Sequence, residues 1–204
     1  MVSTRLYVEG GGDSKALRTA CREGFRKFIE KTGMTGRMLR IVACGGRQNA
    51  YESFATAHAQ VTGAGPPMLL VDAEEPVTAT GPWAHLGARD GWTRPAGATD
   101  DQCHLMVQVM ESWFLADRPA LGDFFGQRFQ ESALPGNPHV EAVAKSDILD
   151  GLERASRATN KGEYAKGKHS FEILARVDPA KVSAAAPYAK RFLDILRATA
   201  GAEA

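Results

Sequence analysis

Four acidic residues stand where short apolar runs come to a stop. Glu9 closes "TRLYVEG", Asp72 closes the apolar run of "PPMLLVDAEEP", Glu74 follows it by two residues, and Glu111 comes directly after "CHLMVQVM". If these runs are strands of a parallel sheet, their carboxyl ends share one edge, the place where α/β sheets collect ligands. Carboxylates gathered in a cleft repel one another unless a positive group intervenes. A hard divalent cation meets that need: Mg²⁺ takes oxygen ligands, keeps several waters, and is held by one or two carboxylates plus a substrate phosphate, and Mn²⁺ accepts the same donors. Such an ion polarises a phosphoryl oxygen and activates a water or hydroxyl for in-line attack. Spacing alone equally allows Glu9 to meet a lysine and "DAEEP" to be a solvated turn.

Cations gather elsewhere in the chain. The stretch "TNKGEYAKGKH" brings Lys161, Lys166, Lys168 and His169 within nine residues, interleaved with Tyr164. Clustered lysines hold backbone phosphates without reading sequence, although the same composition suits an ordinary solvated loop. Arg47 follows "CGG" at the end of the second strand, on the edge that carries the carboxylates, where it can contact a phosphate or pair with a carboxylate. In "MESWFLAD" the aromatic pair Trp113 and Phe114, with Leu115, reads as core rather than as a base-stacking platform. Asp117 is six residues from Glu111, so helical spacing puts the two on different faces.

The glycine run "VEGGGDSK" fails the phosphate-binding fingerprints. A Walker loop needs two glycines five apart followed by Lys-Ser/Thr, and here Lys15 precedes Ala16; the dinucleotide motif fails because Lys15 and Ala16 stand where its third glycine belongs. The glycines therefore read as a sharp turn that exposes Glu9, and Asp13 as the cap of the helix that follows. The five histidines form no zinc-type pattern, and no G-x-S-x-G elbow is present.

The elements that must position these groups alternate. "TRLYVEG", "MLRIVAC" and "PPMLLVDAEEP" read as strands, separated by the helical "DSKALRTACREGFRKFIEKTG", ended by Gly33, and "GGRQNAYESFATAHAQVTG". That rhythm predicts an α/β fold: a mostly parallel, Rossmann-like sheet flanked by helices. A short helix near "PWAHLGAR", a fourth strand at "CHLMVQVM", a helical "ESWFLADRPALGDFF" and an irregular stretch over 126–144 follow. Four helical segments, "KSDILDGLERASRA", "SFEILARV", "PAKVSAAA" and "YAKRFLDILRATA", make a helical C-terminal part. The expected organisation is a single domain over 1–204, with an α/β core over 1–125 and the helical part over 145–198.

With 44% hydrophobic and 24% charged residues, the 204-residue composition is that of a globular protein. The net charge of +1 argues against a generic nucleic-acid binder. Its distribution is uneven: residues 72–123 carry nine Asp/Glu against three Lys/Arg, and residues 145–198 carry eleven Lys/Arg against seven Asp/Glu. An acidic middle beside a basic C-terminal part suits a cation-binding centre next to an anion-binding surface, and equally two solvated surfaces. Cys21, Cys44 and Cys103 have no metal-type spacing and read as reduced core thiols. No apolar run is long enough to cross a bilayer and "MVSTRLYVEG" has no signal-peptide pattern, so a cytoplasmic protein without membrane contact is expected.

The motifs "VEGGGD", the second-strand "GG" turn and "LLVDAEEP" resemble the TOPRIM fold of topoisomerases, primases and overcoming-lysogenization-defect nucleases. Adding "LMVQVMESWFLAD", "YAKGKHSFEILARVDP" and "PYAKRFLDIL", the whole chain resembles a bacterial TOPRIM-like family catalogued as domain of unknown function 4276. The resemblance implies Mg²⁺-dependent phosphodiester chemistry on DNA or RNA, in anti-phage defence beside an ATPase partner. It implies Glu9 as general acid/base or metal-facing carboxylate and Asp72 and Glu74 as metal ligands. Where the TOPRIM motif has a second aspartate, this chain has Glu74, one methylene longer. The resulting expectation is a metal-dependent TOPRIM-type nuclease-like protein: Glu9, Asp72 and Glu74 form its centre, Glu111 joins them, and Lys166 and Lys168 lie near the scissile phosphate. Arg47 and Lys161 add nucleic-acid contacts. The alternatives are a non-catalytic effector or binding subunit working with an ATPase, and a protein that binds nucleotides or phosphoesters without nucleic acid.

Overall fold

A computed structural model of the chain describes residues 4–34, 39–60 and 65–202, the last three without their side chains. Four strands, β1 (Arg5–Val8), β2 (Arg40–Ala43), β3 (Met68–Asp72) and β4 (Cys103–Met106), form an all-parallel sheet in the order β2-β1-β3-β4. Leu6 lies between Ile41 and Met68, and Asp72 is in register with Met106. This is an α/β, Rossmann-like arrangement. β3 is buried along its whole length, which is why its sequence is continuously apolar up to Asp72.

Strand alternation divides the core in two. Leu6, Val8, Ile41, Met68, Leu70 and Met106 pack on one face with Phe25 and Phe28 of α1 (Lys15–Glu30) and with Trp113 and Phe192. Tyr7, Leu69, Val71 and Leu105 pack on the other face with Phe54 of α2 (Arg47–Ala59) and Trp83 and Leu86 of α3 (Pro82–Asp90). Trp113, Phe114 and Leu115 are buried in the first of these clusters, as their sequence context predicts.

Several boundaries differ from the sequence reading. Ser14, not Asp13, caps α1: its Oγ accepts a hydrogen bond from the Leu17 N–H at 3.1 Å, and Asp13 is exposed one residue outside. The fourth strand stops at Met106 although the apolar run continues; beyond it the Glu74 N–H donates to the Gln108 carbonyl at 2.6 Å and the Met110 N–H to the Asp72 carboxylate. "ESWFLADRPALGDFF" is not one helix but α4 (Ser112–Leu115) and α5 (Arg118–Phe125), with Pro119 in the first turn of the second. Residues 126–144 are irregular apart from two short 3-10 turns. The C-terminal part contains α6 (Lys145–Ser156), α7 (Ser170–Leu174), α8 (Pro179–Ala185) and α9 (Pro187–Ala202). Expectations for residues 1–3, for Met38 in the second strand and for residues 61–63 at the end of the second helix lie outside the described residues. The three cysteines are buried and unpaired. No helix among the described residues is long and apolar enough to cross a membrane.

Candidate metal centre

Parallel pairing carries Glu9 and Asp72 to the same edge. The Glu9 N–H still donates to the Leu70 carbonyl (3.0 Å), so its side chain leaves the sheet at a fixed point beside β3. The chain must then turn without covering it. Gly10, Gly11 and Gly12 all have positive φ (133°, 89° and 49°), and Gly10 exchanges backbone hydrogen bonds with Gly45 at 2.8–2.9 Å. A Cβ on Gly11 would lie 2.8 Å from Arg18 Cα, and one on Gly45 2.8 Å from the Gly12 carbonyl, so two strand-end turns fit together only as glycine.

Asp72, Glu74 and Glu9 bring one carboxylate oxygen each to within 4.8 Å of the others. Asp72 is the most enclosed. Its Oδ1 accepts from the Met110 N–H at 2.8 Å, its Oδ2 lies 3.3 Å from Lys166 Nζ, and its own N–H donates to Glu9 Oε2 at 3.1 Å. Glu74 has φ +70° and pairs with Lys145.

Each predicted cation has a definite place. Arg47, first in α2, forks onto Asp90 (Nε–Oδ1 3.0 Å, Nη2–Oδ2 2.7 Å), reaches Glu9 Oε2 at 3.3 Å, donates to the Asp72 carbonyl and covers the Trp92 ring. Of the two uses its position allowed, the structure has it pairing with carboxylates. Lys166 alone of the basic loop reaches the acidic cluster, 3.3 Å from Asp72 and 3.8 Å from Glu111. Lys168 donates instead to the Lys161 carbonyl at 3.3 Å, and Lys161 Nζ lies over the Phe124 ring at 4.6 Å.

Glu111 is fully buried beside the three carboxylates rather than among them. Its Oε1 accepts from the Tyr164 hydroxyl (2.7 Å), which lies 2.9 Å from Ser170 Oγ, and that oxygen accepts from the Gly167 N–H at 3.0 Å. Its Oε2 has no hydrogen-bond partner. Glu111 thus anchors both ends of the segment that carries Lys166. Sequence reasoning missed this role for Tyr164 and Ser170, and it missed Asp90 and Lys145 altogether. The aromatic residue inside a lysine cluster was the only available signal for Tyr164; pairs 43 and 71 residues apart left none for Asp90 and Lys145.

The electrostatics follow from burial. Desolvation pushes the Asp72 carboxyl up to about 7 despite the Lys166 ammonium, with Glu9 and Glu111 adding to the rise. Desolvation also raises Glu9, against Arg47. Burial opposes the charge on Lys166, yet Asp72 and Glu111 hold its ammonium above the ordinary range. Desolvated carboxyls such as Asp72 and Glu9 are stabilised as anions by any positive charge brought to them. An all-oxygen donor set and three convergent carboxylates, beside a buried Glu111 oxygen that makes no hydrogen bond, fit a hard divalent cation. Beside them opens a cleft of about 300 Å³, with Glu9, Asp72 and Lys166 on its wall.

Residues 8–197 match the family model described as Domain of unknown function (DUF4276), and the chain belongs to that family. No curated protein and no solved structure matches the chain.

Proposed function

We propose that this DUF4276 member is a metal-dependent nuclease-like protein of TOPRIM type, acting on phosphodiester bonds of nucleic acid with Mg²⁺ or Mn²⁺. The observation that carries the proposal is the convergence of Glu9, Asp72 and Glu74 at the carboxyl edge of a parallel sheet, with Lys166 brought in from a separate loop. In this reading Asp72 and Glu74 hold the cation, and Glu9 faces it as the general acid/base. When bound, the cation supplies Lewis-acid polarisation of a phosphoryl oxygen and a water of lowered pKa. Lys166 stabilises the charge that builds on the phosphate, a role that suits an ammonium held beside the carboxylates on a half-exposed stem. Glu9, raised by burial, holds or takes up the proton exchanged with the attacking or leaving oxygen. Lys161 and Lys168 serve as outer phosphate contacts, and Arg47 keeps Glu9 and the Asp72 backbone in place. The test is Mg²⁺- or Mn²⁺-dependent cleavage of DNA or RNA that disappears in Glu9→Gln and Asp72→Asn; cleavage unchanged in both variants would remove the site.

One observation favours a second reading. Every carboxylate of the cluster already has a cation of this chain: Arg47 for Glu9, Lys166 for Asp72, Lys145 for Glu74. A centre neutralised in this way suits a non-catalytic effector or binding subunit that works with an ATPase partner. Absence of Mg²⁺ and Mn²⁺ binding by calorimetry, with copurification of an ATPase, decides for it.

A further inference from the structure

The cleft beside the carboxylates has two kinds of wall. Glu9, Asp72 and Lys166 supply its charged groups; Leu17, Met106, Met110 and Phe171 supply apolar surface. Methionines and an aromatic ring make an adaptable, polarisable surface suited to a flat apolar face. Its rim is kept low by glycine. Cβ atoms added at Gly12 and Gly167 would come within 3.5 and 3.8 Å of the two Leu17 methyls, so the rim on either side of that residue is bare backbone. At about 300 Å³ the space is at the small end of ligand sites, sized for one nucleoside rather than a longer ligand.

Glu9 and Asp72 line the cleft and also belong to the carboxylate cluster, so the cleft adjoins that cluster. A phosphate held at the carboxylates therefore has its own sugar and base within reach of the apolar walls. We infer that the cleft receives one unpaired nucleobase attached to that phosphate, so that the substrate is single-stranded or locally opened nucleic acid. The inference rests on the reading of the carboxylates as a phosphodiester site and narrows its substrate class. A paired base cannot enter, since its faces are stacked and its edge is occupied by its partner; a free base gains stacking on apolar and aromatic side chains with no demand on its identity.

Binding measured without turnover tests this. Adenosine monophosphate and ribose 5-phosphate, which carries the phosphate but no base, are compared by calorimetry on the full chain in Mg²⁺. A labelled single-stranded 12-mer and a blunt duplex of the same length are compared by fluorescence anisotropy with Ca²⁺ in place of Mg²⁺. The expected result is at least tenfold tighter binding of the nucleotide and of the single strand. Leu17→Trp, on the half-buried rim, should erase both preferences while the Mg²⁺-induced rise in melting temperature is retained. Equal affinity for nucleotide and sugar phosphate, or for single strand and duplex, overturns the inference, and the wild-type comparisons decide this even if Leu17→Trp fails to fold. Metal-dependent cleavage that treats both strand forms alike removes the base site and leaves the metal centre standing. A retained base preference with no metal-dependent cleavage under any condition supports the cleft and removes the nuclease reading.

Discussion

Asp72→Asn should make the metal-free protein more stable at pH 8. Burial, with Glu9 and Glu111 close by, pushes the Asp72 carboxyl from 3.8 up to about 7 in the fold. At about 1.4 kcal/mol per unit, ionising it in the folded protein costs about 4 kcal/mol more than in the unfolded chain. Because the folded value is the higher one, the stabilisation from its bound proton is complete below about pH 4 and is lost as pH rises through about 7. Asparagine has nearly the same shape, keeps an oxygen for the Met110 N–H and never ionises. That ionisation cost is already net of the attraction of the Lys166 ammonium, which lowers the Asp72 value. The gain at pH 8 is therefore up to about 4 kcal/mol, or a melting temperature up to about 8–16 °C higher in a chain of this length. The assay is a series of thermal melts in EDTA from pH 4 to pH 9. The wild type should lose stability across the interval, the variant should not, and the curves should meet near pH 4. Added Mg²⁺ should raise the wild-type melting temperature and leave that of the variant unchanged. A variant less stable than wild type at pH 8, or two parallel pH curves, refutes the account of Asp72 as an anion held against its own desolvation.

The remaining predictions concern the lysines and the packing of α1. Lys166→Ala should lower kcat for metal-dependent cleavage by about 100-fold or more, as removal of a charge-stabilising donor does. Lys168→Ala, whose ammonium is tied to the Lys161 carbonyl, should stay within about threefold and only flatten the salt dependence of binding by about one unit of slope. Gly24→Ala should cost about 1–3 kcal/mol in denaturant melts, because its Cβ would lie 2.7 Å from the Phe171 carbonyl where α1 meets α7. Gly122→Ala in α5, with nothing within 4 Å, should be neutral or gain up to about 1 kcal/mol.

The parts of this protein that were legible in sequence are those governed by local pattern or by topology. Alternating strands and helices give the parallel sheet, and the rule that carboxyl ends share an edge brings Glu9, Asp72 and Glu74 together without any contact being known. Burial of both faces makes β3 readable from composition alone. Failures occur where a tertiary partner overrides the local signal. Val107, Val109 and Met110 are as apolar as a strand, yet Met110 gives its N–H to a carboxylate from another strand. Asp13 and Ser14 are both competent caps by residue type, and the helix takes Ser14. Three lysines in one loop look alike in sequence; Tyr164 and Ser170, hydrogen-bonded to Glu111 and to the Gly167 N–H, select Lys166 for the centre. Lys145 and Asp90 pair with groups far along the chain and leave no local trace.

The two kinds of cation around the carboxylates differ in how firmly they are held, and this bears on how an ion would enter. Arg47 is 15% exposed, doubly bonded to Asp90, stacked on Trp92 and bonded to the Asp72 carbonyl, so moving it would break several interactions at once. Lys166 and Lys145 are 54% and 35% exposed, each on a flexible four-carbon stem, and each can regain full hydration by turning outward. On the proposed reading, a divalent cation entering the cluster would displace the ammoniums and leave the guanidinium in place. On that account Arg47 belongs to the frame that fixes Glu9 against β3. Lys145 and Lys166 are the counter-charges of Glu74 and Asp72 that a proposed ion would replace, and Lys166, tethered through Tyr164 and Ser170, would remain close enough to meet a phosphate bound there.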